Sequence, residues 1–318
     1  MTRSDGNNGR VIALFGTESQ IGRALYPRLA ASTRIKKIVA LDLKPRSEYP
    51  GNAVSYRIDL SRPEIFAPLV QIFEKEGVDT VVHMAFLNHP KPDDAYIHDF
   101  ESIGTMQILA AAAEAGISKL IVQSSSFVYG ALHDNPIYLT EQHPLRGDKR
   151  NPLIREMVDV ERQIAAFARN HPDICTTVLR MATIMGADAD NYLWKHLKFP
   201  AVTTVMGYDP LWQGLSVEDA VAAFMHITLN DLPGAYNYAA PGVLPISEIV
   251  DAVGGVRVPV PYHLLKAQLA AMRLAELTGF HSRQLEFFRY SCLADCTRAY
   301  KALGIRPQST IAQVLASA

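Results

Sequence analysis

The feature of this 318-residue chain that most restricts its fold is an alternation of short apolar runs with amphipathic segments. The first apolar run ends at Phe15, and Ile21, Leu25 and Leu29 follow it at helical spacing. Further strands are predicted at 37–41, 54–58, 78–84, 119–123 and 176–179, and helices at 64–76, 103–115 and 152–170. Because the strands are continuous apolar runs, we expect a doubly wound parallel sheet with helices on both faces.

The alternation stops after Gly186. Short segments rich in Trp, Pro and Gly follow, with helices predicted at 217–229, 246–253, 262–277 and 293–303. We therefore predict a disordered tail at 1–9, a first α/β domain at 10–186, and a smaller mixed α/β lobe at 187–318. Part of this C-terminal lobe, near 213–240, is expected to return to the first domain's core. Such a lobe would supply a cleft for a small-molecule substrate.

Composition excludes several classes of protein. The formal net charge is −1, without long Lys/Arg runs, so we expect no nucleic-acid partner. No window has the roughly 18 apolar residues of a membrane span, and the polar N-terminus has no signal-peptide core. Cys175, Cys292 and Cys296 are too few for a disulfide framework. Cys292 and Cys296 fall four apart in a predicted helix, but nothing nearby completes a metal site. We expect a cytoplasmic protein without a metal.

The segment ALFGTESQIG joins the first strand to the first helix and resembles a phosphate-binding loop. Gly16 allows the tight turn, and backbone N–H groups at the helix N-terminus would meet a pyrophosphate. Ser19 stands where the middle glycine of such a loop is usual, and its Cβ would narrow the approach. We predict altered rather than absent binding. The loop contributes five candidate cofactor-binding residues: Gly16, Ser19, Gln20, Ile21 and Gly22.

Asp42 closes the second strand, twenty residues after Gly22. A carboxylate there accepts hydrogen bonds from the adenosine ribose hydroxyls and repels a 2′-phosphate, which favours NAD. Lys44 and Arg46 follow closely, so NADP stays open as an alternative.

Several short motifs together have the order and spacing of one protein family. They are Gly16–Gly22, Ile58–Ser61, Val81–Ala85, Gly104-Thr105, Ser124–Gly130, Leu179-Arg180 with Gly186, and Val217–Ala220. Over about residues 10 to 310 the chain resembles the extended short-chain dehydrogenases/reductases. That group includes NAD-dependent epimerases and dehydratases and the 3β-hydroxysteroid dehydrogenases, and it implies a Rossmann-type fold.

The resemblance also implies roles for individual residues. Asp59 and Leu60 would flank the adenine, and Met84 and Ala85 would line the central region of the cofactor. Ser125 would be the hydroxyl that polarises a substrate carbonyl or alcohol. Two long helices, at about 93–115 and 152–170, would form a four-helix homodimer interface.

The catalytic Tyr and Lys of that family are missing. They usually stand eight and four residues before a Glu, and counting back from Glu161 gives Leu153 and Met157. No Tyr-x-x-x-Lys spacing occurs between 124 and 180. Five side chains are candidates to substitute for the missing acid: Tyr138, which we take as the catalytic partner of Ser125, and His133, His143, Lys149 and Arg155.

Other departures bear on the substrate. Thr183 and Glu101 stand where the family commonly has asparagines, and the lobe's helices are apolar with few arginines. We expect an atypical NAD(P)-dependent oxidoreductase acting on a fairly apolar hydroxy or keto compound. The alternative is a catalytically impaired dinucleotide-binding sensor or scaffold. A sugar-nucleotide epimerase or dehydratase ranks below both, because it needs the tyrosine and a diphosphate site.

Overall fold

A computed structural model of the chain describes residues 9–275 and 280–317. Nearly all of the predicted tail, and Leu277 at the expected end of a helix, lie outside these residues. The strands are β1 (Arg10–Phe15), β2 (Ile35–Asp42), β3 (Ala53–Arg57), β4 (Thr80–His83), β5 (Lys119–Ser125), β6 (Tyr138–Leu139), β7 (Cys175–Met181), β8 (Thr183–Ile184), β9 (Ala201–Val205), β10 (Leu211–Trp212), β11 (Gly214–Leu215), β12 (Gly234–Tyr238), β13 (Leu244–Pro245), β14 (Val256–Val260) and β15 (Leu293–Ala294).

The α-helices are α1 (Gln20–Ala30), α2 (Phe66–Glu76), α3 (Asp94–His98), α4 (Gly104–Glu114), α5 (Pro152–Asn170), α6 (Tyr192–Leu197), α7 (Val217–Leu229), α8 (Ile246–Ala252), α9 (Tyr262–Leu274), α10 (Thr297–Leu303) and α11 (Ile311–Ala316). A π-helical turn at Asp99–Ile103 joins α3 to α4, and 3₁₀ helices lie at Ser126–Tyr129 and Ser282–Phe288.

The main sheet has seven strands in the order β12-β7-β5-β4-β1-β2-β3, and every pairing in it is parallel. The doubly wound α/β prediction is therefore confirmed. The strand order reverses between β1 and β4, and ligands of open α/β sheets bind beyond the carboxyl ends of the strands at that point. β12 adds an edge strand from the C-terminal part of the chain.

Alternate residues of β1 pack on opposite faces of the sheet. Ile12 and Leu14 join the apolar core under α1 and α7, and Ala13 and Phe15 join the core under α2 and α4. All four side chains are at most 1% exposed. Burial of each large apolar side chain stabilises the fold by about 1.5–3 kcal/mol. This two-sided burial explains why the strand reads as a continuous apolar run.

A separate apolar core holds the small strand pairs and helices after Gly186. Trp194 and Trp212 lie in it, and their indole N–H groups donate to the carbonyls of Gly186 and Phe287, both at 2.9 Å. These bonds satisfy the polar atom of each large buried ring.

One predicted helix is shorter than expected. Residues 293–294 form β15, which pairs with β6, so α10 begins only at Thr297. Cys296 caps α10 and Cys292 precedes β15, so these two cysteines do not share a helical face. The strand pairing overrides the local helical pattern.

Among the residues described, no helix has both the length and the apolar character needed to cross a membrane.

A cleft along the carboxyl edge of the sheet

Two hollows meet at the carboxyl edge of the main sheet, beside the β1–β4 switch point. The β2 hollow is lined by the ends of β1 and β2 and by residues up to Phe100; the α5 hollow is lined by the ends of β5 and β7 and by α5 and α6. They share four lining residues: Ser19, Phe86, Leu87 and Asn88. The hollows therefore form one elongated cleft with a common wall.

Close packing requires glycine at two positions of the turn into α1, Gly16 and Gly22. Gly16 has φ +80°, and a Cβ there would lie 2.7 Å from the Met84 carbonyl. A Cβ on Gly22 would lie 2.1 Å from the Gly16 carbonyl oxygen. A side chain at either position would displace backbone, so the turn depends on both glycines.

The backbone conformation at position 19, in the middle of this loop, does not require a glycine. The Ser19 backbone is extended (φ −65°, ψ 162°), its N–H donates to Gly16 at 3.0 Å, and its hydroxyl accepts from the Gly22 N–H at 3.1 Å. Serine is a favoured N-cap residue because its side chain satisfies a free helix N–H. Ser19, Gln20 and Ile21 all line the α5 hollow, where the first turn of α1 brings N–H groups with no intrahelical acceptor.

Asp42 lines the β2 hollow and is held by backbone. Its carboxylate accepts from the N–H groups of Glu18 at 2.9 Å and Lys44 at 3.1 Å. Glu18 lines the same hollow, and its carboxylate pairs with the Arg46 guanidinium at 2.9 Å. Two carboxylates thus face this end of the cleft, and Arg46 is engaged by one of them.

The other four predicted cofactor contacts divide into two pairs. Leu60 and Ala85 line the β2 hollow. Asp59 instead closes its own turn, because its carboxylate accepts from the Ser61 N–H at 3.1 Å and hydroxyl at 2.7 Å. Met84 is 1% exposed, and its carbonyl lies against Gly16. Asp59 and Met84 therefore support the hollow rather than line it.

Ser125 ends β5 and lines the α5 hollow. Its hydroxyl oxygen accepts from the Phe127 N–H at 3.2 Å, which leaves the hydroxyl hydrogen for another partner. Leu153 and Met157, from the first turns of α5, line the same hollow. The structure thus brings Ser125 together with the two residues that the sequence predicts at the family's Tyr and Lys positions.

A buried ion pair holds α5 against the ends of β5 and β7. The Arg180 guanidinium donates to Glu161 at 2.5–3.0 Å, and Glu161 accepts from the Ser124 hydroxyl at 2.5 Å. Arg180 also donates to the Tyr129 hydroxyl at 2.8 Å, which in turn donates to Asn237 at 2.7 Å. Burial raises the pKa of Tyr129 to about 12, against the lowering effect of Arg180. This network fixes the backbone that carries Ser125.

Tyr138 does not lie with Ser125. It sits on β6, where its partner is Leu293 of β15, its side chain is 48% exposed, and it lines a different groove with Gln213 and Ala240. The strand pairing holds it there, which corrects the expectation that Tyr138 replaces the missing acid. None of His133, His143, Lys149 and Arg155 lines the α5 hollow in the described structure either.

Charge distinguishes the two ends of the cleft. Among the residues described, the lining of the α5 hollow contains no Asp, Glu, Lys, Arg or His. A smaller hollow shares Phe127 and Thr183 with it and is equally free of charge, with walls that include Trp212, Phe287 and Cys292. The side of the cleft near Ser125 is therefore an apolar cavity with a few neutral polar groups.

A buried carboxyl lies behind the common wall. Glu101 is fully buried in the π-helical turn; one carboxyl oxygen accepts from the Leu87 N–H at 2.7 Å, and the other has no partner among the described residues. Burial raises the pKa of Glu101 to about 8; the Leu87 N–H opposes this, and Glu156 adds to it. Glu101 therefore stays largely protonated at neutral pH while it holds the wall residue Leu87.

The fold and the cleft are those of a dinucleotide-binding α/β protein. Comparison with known proteins identifies the family. The model of the NAD dependent epimerase/dehydratase family matches residues 12–237, and the chain belongs to this family. An uncharacterized protein of Mycobacterium tuberculosis is 29% identical over 308 residues, which cover 95% of this chain and 81% of that protein.

Solved structures of the same fold include enzymes with bound ligands. MoeE5 in complex with UDP-glucuronic acid and NAD superposes with a TM-score of 0.74 at 21% identity, covering 97% of each chain. The UDP-glucose 4-epimerase of Thermotoga maritima with UDP-glucose gives 0.75 at 16% identity, covering 96% of each. At these sequence identities, the similarity shows only that the folds are alike.

Proposed function

We propose that this chain is an NAD-dependent oxidoreductase that acts on a fairly apolar hydroxy or keto compound. The observation that carries the proposal is the contrast within one cleft. The β2 hollow presents carboxylates beside a glycine turn, and the α5 hollow contains Ser125 and, among the residues described, no charged side chain.

The β2 hollow suits the adenosine half of NAD. The Asp42 carboxylate stands at the end of β2, where it can accept from ribose hydroxyls, and the Gly16 turn packs directly against the Met84 backbone beside it. A 2′-phosphate would face the two carboxylates of Asp42 and Glu18; Lys91 is the one basic residue among the described residues that line this hollow, and Arg46 is already paired with Glu18. These charges favour NAD over NADP.

The residues around the α5 hollow would position the reaction. Bound NAD supplies hydride chemistry at its nicotinamide ring. The Ser125 hydroxyl, whose oxygen is held by the Phe127 N–H, would donate to the substrate oxygen. Leu153 and Met157 would exclude water from the reacting atoms. The loss of one general acid typically slows such a reaction by about 10²- to 10⁴-fold and does not abolish it.

A nucleotide sugar fits this cleft less well. The similar structures hold UDP-glucuronic acid or UDP-glucose, whose diphosphate carries negative charge that needs cations or N–H donors. Within the described residues, no Lys or Arg lines the α5 hollow or its smaller neighbour. We therefore rank a sugar-nucleotide epimerase or dehydratase below an enzyme of apolar substrates.

A second candidate is a dinucleotide-binding sensor or scaffold without turnover. The observation that favours it is the pair Leu153 and Met157, which puts two apolar side chains at the wall where the family's acid and its lysine would act. Such a protein would bind NADH in the same cleft and leave ketones unchanged.

The experiment is a fluorescence titration with NADH and NADPH, followed by absorbance assays with acetophenone, cyclohexanone and 2-decanone. We expect tighter NADH binding and slow ketone reduction. Ser125→Ala should lower the rate, and the exposed Ser118→Ala, just before the start of β5, is the matched control. NADH binding without turnover of any ketone or UDP-sugar would instead establish the sensor.

We also propose a homodimer formed through α4 and α5. Met106 of α4 is 50% exposed although seven of the eleven residues of this helix are buried. Sedimentation should show a dimer that Met106→Glu dissociates, and an unchanged dimer in that variant would exclude this face.

A further inference from the structure

Gln123, near the end of β5, lines the α5 hollow and differs from the other glutamine there in having no partner. Its amide oxygen is buried without a hydrogen-bond partner among the described residues. Its amide nitrogen has no partner there either, and that atom is not enclosed by protein. Gln20 and Asn191, in contrast, donate to the carbonyls of Asp188 at 2.7 Å and Ile184 at 2.8 Å. The Gln123 amide is therefore available to a ligand.

The side chain of Gln123 lies on the face of the sheet that opens into the α5 hollow. Residues two apart on a strand share a face, and Ile121 belongs to the core under α1 and α7. Ile21 and Met181 belong to the same core and also line the α5 hollow. Because β5 lies between β4 and β7, the exposed part of the half-buried Gln123 opens at the carboxyl edge of the sheet, where this hollow lies.

Ser125 shares this face with Gln123. The two residues are about 6.5 Å apart along the strand, and both line the α5 hollow. In the function proposed above, the Ser125 hydroxyl donates to the reacting oxygen of the substrate. A ligand held by Ser125 can therefore meet Gln123 with a second polar group several bonds away, as on the far side of a six-membered ring.

The chemistry of the hollow selects the kind of group that Gln123 would bind. A carboxamide has both an N–H₂ donor and a C=O acceptor, and a half-turn of the amide exchanges them, so a hydroxyl or a carbonyl can pair with it. A carboxylate or phosphate would need a cation, and the described lining of this hollow has none. A purely apolar ligand would cover the amide and leave it unpaired, which weakens binding.

We propose that Gln123 determines substrate specificity by binding a second, neutral oxygen of the substrate, a role that rests on the function proposed above. The preferred substrate is a ketone, or the corresponding alcohol, that carries a hydroxyl or a further carbonyl several bonds from the reacting carbon on an otherwise apolar frame. Gln123 takes no part in hydride or proton transfer. The sequence predicted it only as the last residue of a strand, because spacing does not show which cavity the end of a strand meets.

The test compares ketones that differ by one oxygen: cyclohexanone with 4-hydroxycyclohexanone, and acetophenone with 3′-hydroxyacetophenone. The readouts are the affinity of each ketone for the NADH complex, kcat/KM, NADH affinity and melting temperature. We expect the wild-type protein to bind and reduce the oxygenated member of each pair about tenfold better. Gln123→Leu should abolish this preference and change the values for the simple ketones by less than about threefold. NADH affinity should not change, and the melting temperature should not fall, because no hydrogen bond within the described structure is lost.

Gln163→Leu is the matched control. Gln163 of α5 also has a buried amide oxygen without a partner among the described residues, but it does not line the α5 hollow. This variant should keep the wild-type preference within each pair of ketones.

Four results would overturn the proposal. An unchanged preference in Gln123→Leu, with the ketones still reduced, would remove Gln123 and leave the proposed function intact. A loss of NADH affinity with the preference unchanged would assign the amide to the cofactor. A melting temperature several degrees lower in Gln123→Leu alone would show that the amide has a structural role. If the wild-type protein neither binds nor reduces any of these ketones, the proposed function and the role of Gln123 both fail.

Discussion

The two ends of the cleft share a wall but differ in how they are built. The β2 hollow contains acidic and basic side chains, Glu18, Asp42 and Lys91, and its shape depends on a backbone turn. The α5 hollow has no charged side chain among the described residues and is shaped by Leu, Met and aromatic side chains. One end is suited to a ligand with many fixed hydrogen bonds, and the other selects mainly by apolar contact.

Because the two ends are built differently, they tolerate different amino-acid substitutions. The Gly16 turn is packed against the Met84 backbone, so a single added carbon disturbs it. Leu153 and Met157 contribute apolar side chains to the lining of the α5 hollow. Substitutions at the first end should therefore abolish ligand binding, whereas substitutions at the second should change which ligand reacts.

The largest effect is expected from Gly16→Ala. The new Cβ would lie 2.7 Å from the Met84 carbonyl at a residue with φ +80°, which combines backbone strain with a steric clash. We expect a loss of about 3–5 kcal/mol of stability and of NADH binding by more than about 100-fold. Thermal unfolding and fluorescence titration measure both.

Gly77→Ala is the matched control for Gly16→Ala. Gly77 also has positive φ, +69°, but a Cβ there meets nothing within 4 Å. It should cost about 1–2 kcal/mol from strain alone and leave NADH affinity unchanged. Equal losses of affinity in the two variants would contradict the importance of the Met84 contact.

The next largest effect concerns Glu101, behind the common wall. Its pKa is raised to about 8 in the folded state, from an ordinary value of 4.5. Its contribution to stability is complete below the ordinary pKa and is lost as pH rises through the folded value. Relative to wild type, Glu101→Gln should therefore gain stability between about pH 5 and 8, by at most about 1.4 kcal/mol per pH unit.

Thermal unfolding across that range, with the exposed Glu114→Gln on α4 as control, measures the slope. A stability difference between Glu101→Gln and wild type that stays constant over pH 5 to 8 would show that Glu101 is ionised in the folded protein.

The sequence predicted the β2 end of the cleft better than the α5 end. The strands, the glycine turn and Asp42 are local patterns in a short βαβ segment, so spacing alone locates them. Tyr138 was predicted as the catalytic partner of Ser125, but the pairing of β6 with β15 places it in a different groove. The sequence gave no signal that Tyr192, at the start of α6, lines the α5 hollow, because its position depends on the folding of the irregular lobe onto the sheet.

A moderate effect is expected from Asp42→Asn, which alters the charge of the β2 hollow alone. Removal of the carboxylate lessens the repulsion of a 2′-phosphate, so the preference for NADH over NADPH should fall about tenfold, or about 1.4 kcal/mol. The ratio of the two affinities is informative because any shared loss from the Glu18 N–H cancels in it. Ketone affinity of the NADH complex should not change. An unaltered NADH to NADPH ratio would remove Asp42 from cofactor selection.

The smallest effect is expected from Arg46→Ala. The Arg46 side chain is 43% exposed and pairs with Glu18, and such partly exposed pairs contribute about 0.2–1 kcal/mol. Because the guanidinium is already engaged, its removal should change NADH and NADPH affinities alike, by less than about threefold. Titration of both dinucleotides at low and moderate salt measures this. A tenfold loss of NADPH affinity alone would instead make Arg46 a ligand for a 2′-phosphate, and the charge contrast between the two hollows would then not determine the cofactor.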